Sequence, residues 1–314
     1  MAEGGGARPA ALAAIGNTPI VQLTRIVEPE SAEVWVKLEA ANPTGSYKDR
    51  MALAMIEGAE RAGKLRPGQT VVEYTGGSTG SSLAFVCAVK GYPTHIVTSD
   101  AFAAEKLATM RAFGATLDIV PSPEGITPQI IPAMRERALE IAEEIDGYRT
   151  DQFQNQDMID GYHGMGEEIL EQLDGRVDAW VSYVGTAGAF VGVTAALRER
   201  LPDVRRVAVE PAESAILSGQ PAGTHRIEGG GIGFVPPLLD VERDVDEVRP
   251  VPQDEAFAMA RRAAREEGVW SGPSSGANLV AALAVARELG PGHRVVTVAV
   301  DSGLKYLGGP LYRQ

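Results

Sequence analysis

The 314-residue sequence holds a single cysteine, Cys87, which excludes an internal disulfide and any multi-cysteine metal site. Its setting, Leu83-Ala84-Phe85-Val86-Cys87-Ala88-Val89, reads as buried helix with an inert thiol. No apolar run approaches a membrane span, and no lysine or arginine cluster suggests a membrane patch. Positive charge is scarce: 29 Lys and Arg stand against 42 Asp and Glu, a formal net charge of -13 and a pI near 4.9. A broad basic surface for nucleic acid is thereby excluded. The first fourteen residues, with Glu3 and three glycines, lack the charged head and continuous apolar core of a secretory signal, so a cytoplasmic location is expected. Internal repeats and low-complexity linkers are absent as well.

What is present is an ordinary globular composition, 44% hydrophobic and 23% charged, long enough for two domains with their own cores. Strand signals over 17–23 and 32–38 precede a helix, and from Thr70 strands and helices alternate. We expect strands over 70–74, 94–99 and 116–120 with helices over 79–90, 103–113 and 130–146. The alternation resumes with a helix near 160–172, strands over 177–184, 205–210 and 294–300, and helices over 188–200, 254–267 and 275–289. Such a pattern predicts an α/β fold of two open twisted parallel sheets, with ligands at the strand C-termini. The Gly- and Pro-rich stretch 212–251 is expected to supply cleft loops.

The chain is organised around Asn42-Pro43-Thr44-Gly45-Ser46-Tyr47-Lys48-Asp49-Arg50-Met51. Met51, Met55, Ile56, Ala59 and Ala62 recur at helical spacing up to Gly63, placing Lys48 at the positive end of a helix dipole. There the ammonium form is disfavoured, with burial or a cationic neighbour such as Arg50 adding to the effect, as a lysine that must attack a carbonyl requires.

Three further loops each open a helix. Tyr74-Thr75-Gly76-Gly77-Ser78-Thr79-Gly80 combines hydroxyls with exposed amides that suit a carboxylate. Gly185-Thr186-Ala187-Gly188-Ala189 follows an apolar strand and has the character of a phosphate cradle, although it matches neither a P-loop nor the dinucleotide fingerprint. Ser271-Gly272-Pro273-Ser274-Ser275-Gly276 reads as a capped helix start, or as a serine hydroxyl set against a ring nitrogen.

In this order, these segments resemble the cysteine synthase and cystathionine β-synthase family of pyridoxal-phosphate enzymes of fold type II. The resemblance runs from Gly16-Asn17-Thr18-Pro19 to Asp301-Ser302-Gly303-Leu304-Lys305-Tyr306-Leu307 and includes Gln152-Phe153-Gln154-Asn155 and Ile227-Glu228-Gly229-Gly230-Gly231-Ile232-Gly233-Phe234. It implies a homodimer with pyridoxal 5'-phosphate on Lys48, and a smaller, mobile unit over 42–150 facing a larger one formed by 1–41 and 151–314. It further implies that Thr75, Gly76, Gly77, Ser78, Thr79 and Gln152 hold the substrate carboxylate. Gly185, Thr186, Ala187, Gly188 and Ala189 would hold the cofactor phosphate, and Ser274 the ring nitrogen.

Three departures stand out. Ser78 occupies the usual asparagine position beside the cofactor ring, and Gly76 replaces a serine. Ala189 replaces a threonine, and Gln156-Asp157 a Pro-Ala pair. The first two changes are expected to enlarge the pocket near the substrate α-carbon. The implied reaction is β-replacement on an activated serine by a thiol or sulfide. A cysteine desulfhydrase-like β-elimination is the alternative, and a non-catalytic cofactor-binding regulator a third reading. A nicotinamide-dependent dehydrogenase is disfavoured by the glycine spacing.

Overall fold

Strand and helix alternate along the chain because apolar β-branched runs are punctuated by Gly, Pro and Ser, and the alternation resolves into two sheets. The computed structural model describes residues 9–123, 127 and 129–313. In chain order the elements are β1 (Ile20–Gln22), β2 (Glu33–Leu38), α1 (Lys48–Arg61), β3 (Val71–Tyr74), α2 (Ser78–Lys90), β4 (Thr94–Ser99), α3 (Ala104–Ala112), β5 (Thr116–Val120), α4 (Ile130–Glu144) and β6 (Tyr148–Arg149). They continue with α5 (Asp157–Gln172), β7 (Ala179–Tyr183), α6 (Gly188–Arg200), β8 (Arg205–Pro211), α7 (Val241–Asp244), β9 (Glu247–Val251), α8 (Gln253–Glu266), α9 (Pro273–Leu289) and β10 (Arg294–Ala299), and a short 3-10 turn follows over Gly303–Tyr306.

One sheet has the order β1-β2-β10-β7-β8-β9 and the other β5-β4-β3-β6. Every pairing is parallel except β1 with β2. Central strands are covered on both faces, so β3 and β7 are buried at every position, as parallel sheets require. This is the mixed α/β architecture expected from the sequence.

Two strands were not anticipated. The two-residue β6 is too short to carry a period. β9 closes the stretch expected to be loop only, and it tolerates Pro250 because it lies at the sheet edge, where a missing N–H costs little. The strand expected over 17–23 is reduced to β1, and Asn17 instead adopts a left-handed conformation at φ 47°.

Helix α1 lies between the two sheets and packs against α5 and α2. Close approach to α5 needs a residue without a side chain, since a Cβ at Gly161 would stand 2.7 Å from the Arg50 carbonyl oxygen. Behind α1, Arg50 is held by carboxylates on both sides. Its Nε and Nη2 donate to Glu39 at 2.8 and 2.9 Å, and Nη1 and Nη2 donate to Glu168 at 2.7 and 2.8 Å. Lys37 also pairs with Glu168, at 2.6 Å. Paired forks of this kind fix orientation as well as charge. The helix start is thereby tied to β2 and α5.

Candidate active site

The turn before α1 is held by the far end of the chain. Tyr47 N donates to Val300 O at 3.1 Å, and Ser302 N donates to Gly45 O at 2.9 Å. Lys48 is therefore delivered to the C-terminal end of β10 as the first residue of α1, with no side chain capping that terminus. It is 8% exposed, and among the described residues its Nζ makes no hydrogen bond; the nearest aromatic face is Tyr47, 5.1 Å away. Burial lowers its pKa to about 8, with the Glu73 carboxylate pulling the other way. Burial is thus the cause. Arg50, expected to assist, is consumed by Glu39 and Glu168 and faces away from the task.

The loop between β3 and α2 brings Thr75, Gly76, Gly77, Ser78 and Thr79 to the C-terminal end of the smaller sheet. Thr75 Oγ1 accepts from Gly77 N at 3.1 Å, and the α2 terminus has no side-chain cap, so among the described residues the amides of Ser78 and Thr79 donate to no acceptor. Gln152 joins this loop from the segment after β6. Its Oε1 accepts from Thr79 Oγ1 at 2.8 Å and its Nε2 donates to Tyr74 O at 3.0 Å. Beneath them lies Glu73, whose carboxylate accepts from Thr150 Oγ1 at 2.7 Å and Gln152 N at 3.0 Å. Burial raises its pKa to about 7 despite those donors. A glutamate inside the apolar run Val71-Val72-Glu73-Tyr74 was a readable signal of such an anchoring role.

The pocket enlargement expected at Gly76 is not found. A Cβ there would overlap the Phe102 ring, which fills the space a larger residue would take. Ser78 is likewise not left to itself: Lys305 Nζ lies 3.4 Å from its hydroxyl oxygen. Neither Phe102 nor Lys305 carries a spacing signal, because each reaches the loop from elsewhere in the chain.

At the larger sheet, the loop after β7 brings Gly185, Thr186, Ala187, Gly188 and Ala189 to the N-terminus of α6. Ala187 holds a left-handed φ of 71° and no side chain caps the helix. The conformation is costly for a residue with a Cβ and turns successive amides toward one point. Among the described residues, the buried amides of 186–189 donate to no acceptor, the state expected of an oxyanion cradle. A Cβ at Gly185 would overlap Gly229 O, so the two glycine loops touch. Ala189 offers no hydroxyl, and among the described residues Thr186 Oγ1 finds only the Met158 sulfur, at 3.8 Å.

Ser274 is 2% exposed at the second position of α9. It is not the cap: Gly272 occupies that place, and no side-chain cap bond is formed. Its neighbour Ser275 is spent on Val300 N at 2.9 Å. The Ser274 hydroxyl thus remains available next to Gly229, where an added Cβ would stand 4.0 Å from it. Amide cradle, buried lysine, hydroxyl and carboxylate loop together form a donor set that fits a phosphorylated aldehyde and an amino acid. Among the described residues, no group of His, Cys, Asp and Glu is arranged to hold a metal, and no helix is long and apolar enough to cross a membrane. Cys87 is buried in α2 with its thiol pKa pushed up by burial to about 12.

Comparison with known proteins adds the following. Residues 11–301 match the family model described as pyridoxal-phosphate dependent enzyme. A cysteine synthase of Staphylococcus aureus strain Mu50 is 43% identical over 300 residues, 95% of both chains. The crystal structure of a cysteine synthase from Entamoeba histolytica superimposes with a TM-score of 0.91 at 35% identity, covering 99% of this chain and 93% of the other. A hydrogen sulfide-producing enzyme from Fusobacterium nucleatum gives a TM-score of 0.89 at 36% identity, covering 96% and 100%.

Proposed function

The chain belongs to the pyridoxal-phosphate dependent enzyme family, and from that premise we propose that it carries out β-replacement on an activated serine. The donor is of the O-acetylserine or O-phosphoserine kind, the nucleophile sulfide or a small thiol, and the product cysteine or a related amino acid. The observation that carries this reading is Lys48, buried at the C-terminal end of β10 with a pKa lowered to about 8. The likeness to cysteine synthases over 95% of the chain supports the same reading.

In this reading Lys48 carries the cofactor, the amides of 185–189 hold its phosphate, and Ser274 meets its ring nitrogen. Pyridoxal phosphate, when bound, supplies the electron sink that allows the substrate α-proton and then the β-substituent to leave. The protein supplies the rest. Lys48 Nζ takes the α-proton as general base. With a pKa of about 8, roughly a tenth of it is neutral at pH 7, against well under a thousandth for a free lysine. Thr75, Ser78, Thr79 and the α2 amides orient the carboxylate, holding the α-carbon beside Lys48. A neutral serine at the ring nitrogen keeps the sink mild, which favours loss of the β-group over longer-lived carbanion chemistry. The smaller sheet with its 75–79 loop closes over substrate and excludes water, while the α1 start, tied to Glu39, Glu168 and Val300, stays with the larger unit, and the enzyme acts as a homodimer.

β-Elimination, releasing pyruvate and ammonia, is the second reading. It is favoured by the shortened side chain at Ser78 and by the likeness to a hydrogen sulfide-producing enzyme. One experiment decides between them. Purified holoenzyme is given serine, O-acetylserine, O-phosphoserine or cysteine, with and without sulfide, and amino-acid product and pyruvate are both quantified. Product with little pyruvate supports replacement. Pyruvate from cysteine as the dominant activity overturns it, and sedimentation of the same sample tests the dimer.

A further inference from the structure

Lys106 takes no part in the site described above, yet it is only 4% exposed and lies between the two sheets. It stands near the start of α3, on the smaller sheet's side. Its Nζ pairs with Glu228 Oε2 at 2.5 Å, lies 3.4 Å from Tyr306 Oη and sits 4.6 Å over the Tyr306 ring. Glu228 and Tyr306 both belong to the larger sheet's side. Two strands of contact leave this point. The Lys106 stem packs behind the carboxylate loop, where a Cβ at Gly77 would stand 2.9 Å from Lys106 Cδ. Glu228 is followed directly by Gly229, whose carbonyl rests on Gly185 of the amide cradle. The ion pair is therefore the middle link between the loop at 75–79 and the loop at 185–189. A parallel tie, Gly308 N donating to Glu105 Oε1 at 2.8 Å, holds the same edge of α3.

We propose that Lys106 and Glu228 are positioning residues: their ion pair across the cleft sets the carboxylate loop relative to the phosphate cradle. Two charges with 4% and 22% side-chain exposure are poorly screened, and removing either leaves the other without its partner. At Gly77 the loop contributes no side chain of its own, so the Lys106 stem is what it packs against there. Loss of the pair releases the Lys106 stem from Gly77, and the loop amides lose their fixed direction. The roles of the two loops rest on the proposed function; the mechanical link between them does not.

The test compares holoprotein variants Lys106→Met, Glu228→Gln and the double variant by amide hydrogen exchange at residues 75–80. Each single change is expected to speed exchange there by about tenfold and the double change no further, with β7 and β10 unaffected. KM for O-acetylserine is expected to rise by a similar factor with kcat within about twofold, and Lys106→Arg to retain parent behaviour in both measurements. Unchanged loop exchange in either single variant, or increments that multiply in the double, overturns the proposal. The charge swap Lys106→Glu with Glu228→Lys supplies a folded control if a single variant is unstable; its failure to restore loop protection also counts against the pair. Altered exchange in variants of a parent that turns over no β-substituted alanine would defeat the proposed function alone, whereas turnover with unaltered exchange would defeat the link alone.

Discussion

Thr79 Oγ1 and Gln152 Oε1 are hydrogen-bonded at 2.8 Å, so the carboxylate loop is tied to the segment after β6 before a ligand arrives. Removing the hydroxyl leaves a buried amide oxygen without its donor. One such bond contributes roughly 0.5–1.5 kcal/mol, so Thr79→Ala is expected to raise KM by about threefold to tenfold while cofactor content stays at parent level. Steady-state kinetics with O-acetylserine and a cofactor absorbance measurement check both halves. An unchanged KM would remove this loop from the substrate site.

Lys48→Ala is expected to yield protein without a borohydride-reducible link to pyridoxal phosphate and with turnover lowered by at least about a thousandfold. Peptide mapping after reduction of the parent identifies the modified lysine. Label on Lys106 or Lys305, the other buried lysines near the cleft, would sink the assignment.

Ser274→Ala should retain cofactor yet slow turnover, because the hydroxyl is neither the helix cap nor bonded elsewhere among the described residues. Ser274→Asp should change the cofactor absorbance by placing a carboxylate at the same point. If both variants match the parent in spectrum and rate, Ser274 has no contact with the ring.

Position 76 permits a packing test. Gly76→Ala is expected to displace Phe102 and destabilise the protein by roughly 1–3 kcal/mol, the usual cost of overfilling a packed site. Phe102→Ala in that background should return most of the loss, as urea midpoints would report. Additive losses would mean the two side chains do not share the space. At Ser78, Ser78→Asn should lower any pyruvate released per amino acid formed; an unchanged ratio would make that departure neutral.

Acid stability is expected to depend on Glu168. Burial would raise its pKa, but hydrogen bonds and charge from Arg50, then Lys37 and the Asn17 amide, outweigh this and hold it at about 2. A carboxylate held below its unfolded value stabilises the fold above the ordinary range near pH 4.5. That contribution is lost as pH falls from there through about 2. Urea midpoints taken between pH 7 and pH 2 should therefore fall less steeply for Glu168→Gln, from a lower starting value at pH 7. Parallel curves would show that Glu168 does not titrate with unfolding.

Helices and central strands were legible because their periodicity is local: α1 shows its buried face in Met51, Met55 and Ile56, and β3 and β7 show theirs in short, mostly apolar runs broken by Glu73 and Ser182. The segments carrying Lys48, Ser274 and the two glycine loops could be read for the same reason. Partnerships between distant positions could not. Arg50 sits two residues from Lys48 and invites an electrostatic link, yet its guanidinium turns to Glu39 and Glu168, the latter 118 residues away. Gly76 suggested open space because the sequence does not say that Phe102 leans over it. β9 was hidden by Pro250 and by alternating charge at Glu247 and Arg249, a pattern that suits an exposed edge and resembles a loop.

The backbone bonds from Tyr47 to Val300 and from Ser302 to Gly45 have a consequence for the order of events during synthesis. A ribosome adding roughly 5–20 residues per second needs between about 13 and 50 s to travel from codon 48 to codon 300. Throughout that interval Lys48 exists in the nascent chain, while the strand end that seats it does not. On the role proposed for Lys48, cofactor capture is therefore a late step, after the smaller sheet has had every opportunity to form. A frameshift or stop codon just before β10 would leave a chain with its lysine intact and no seat for it.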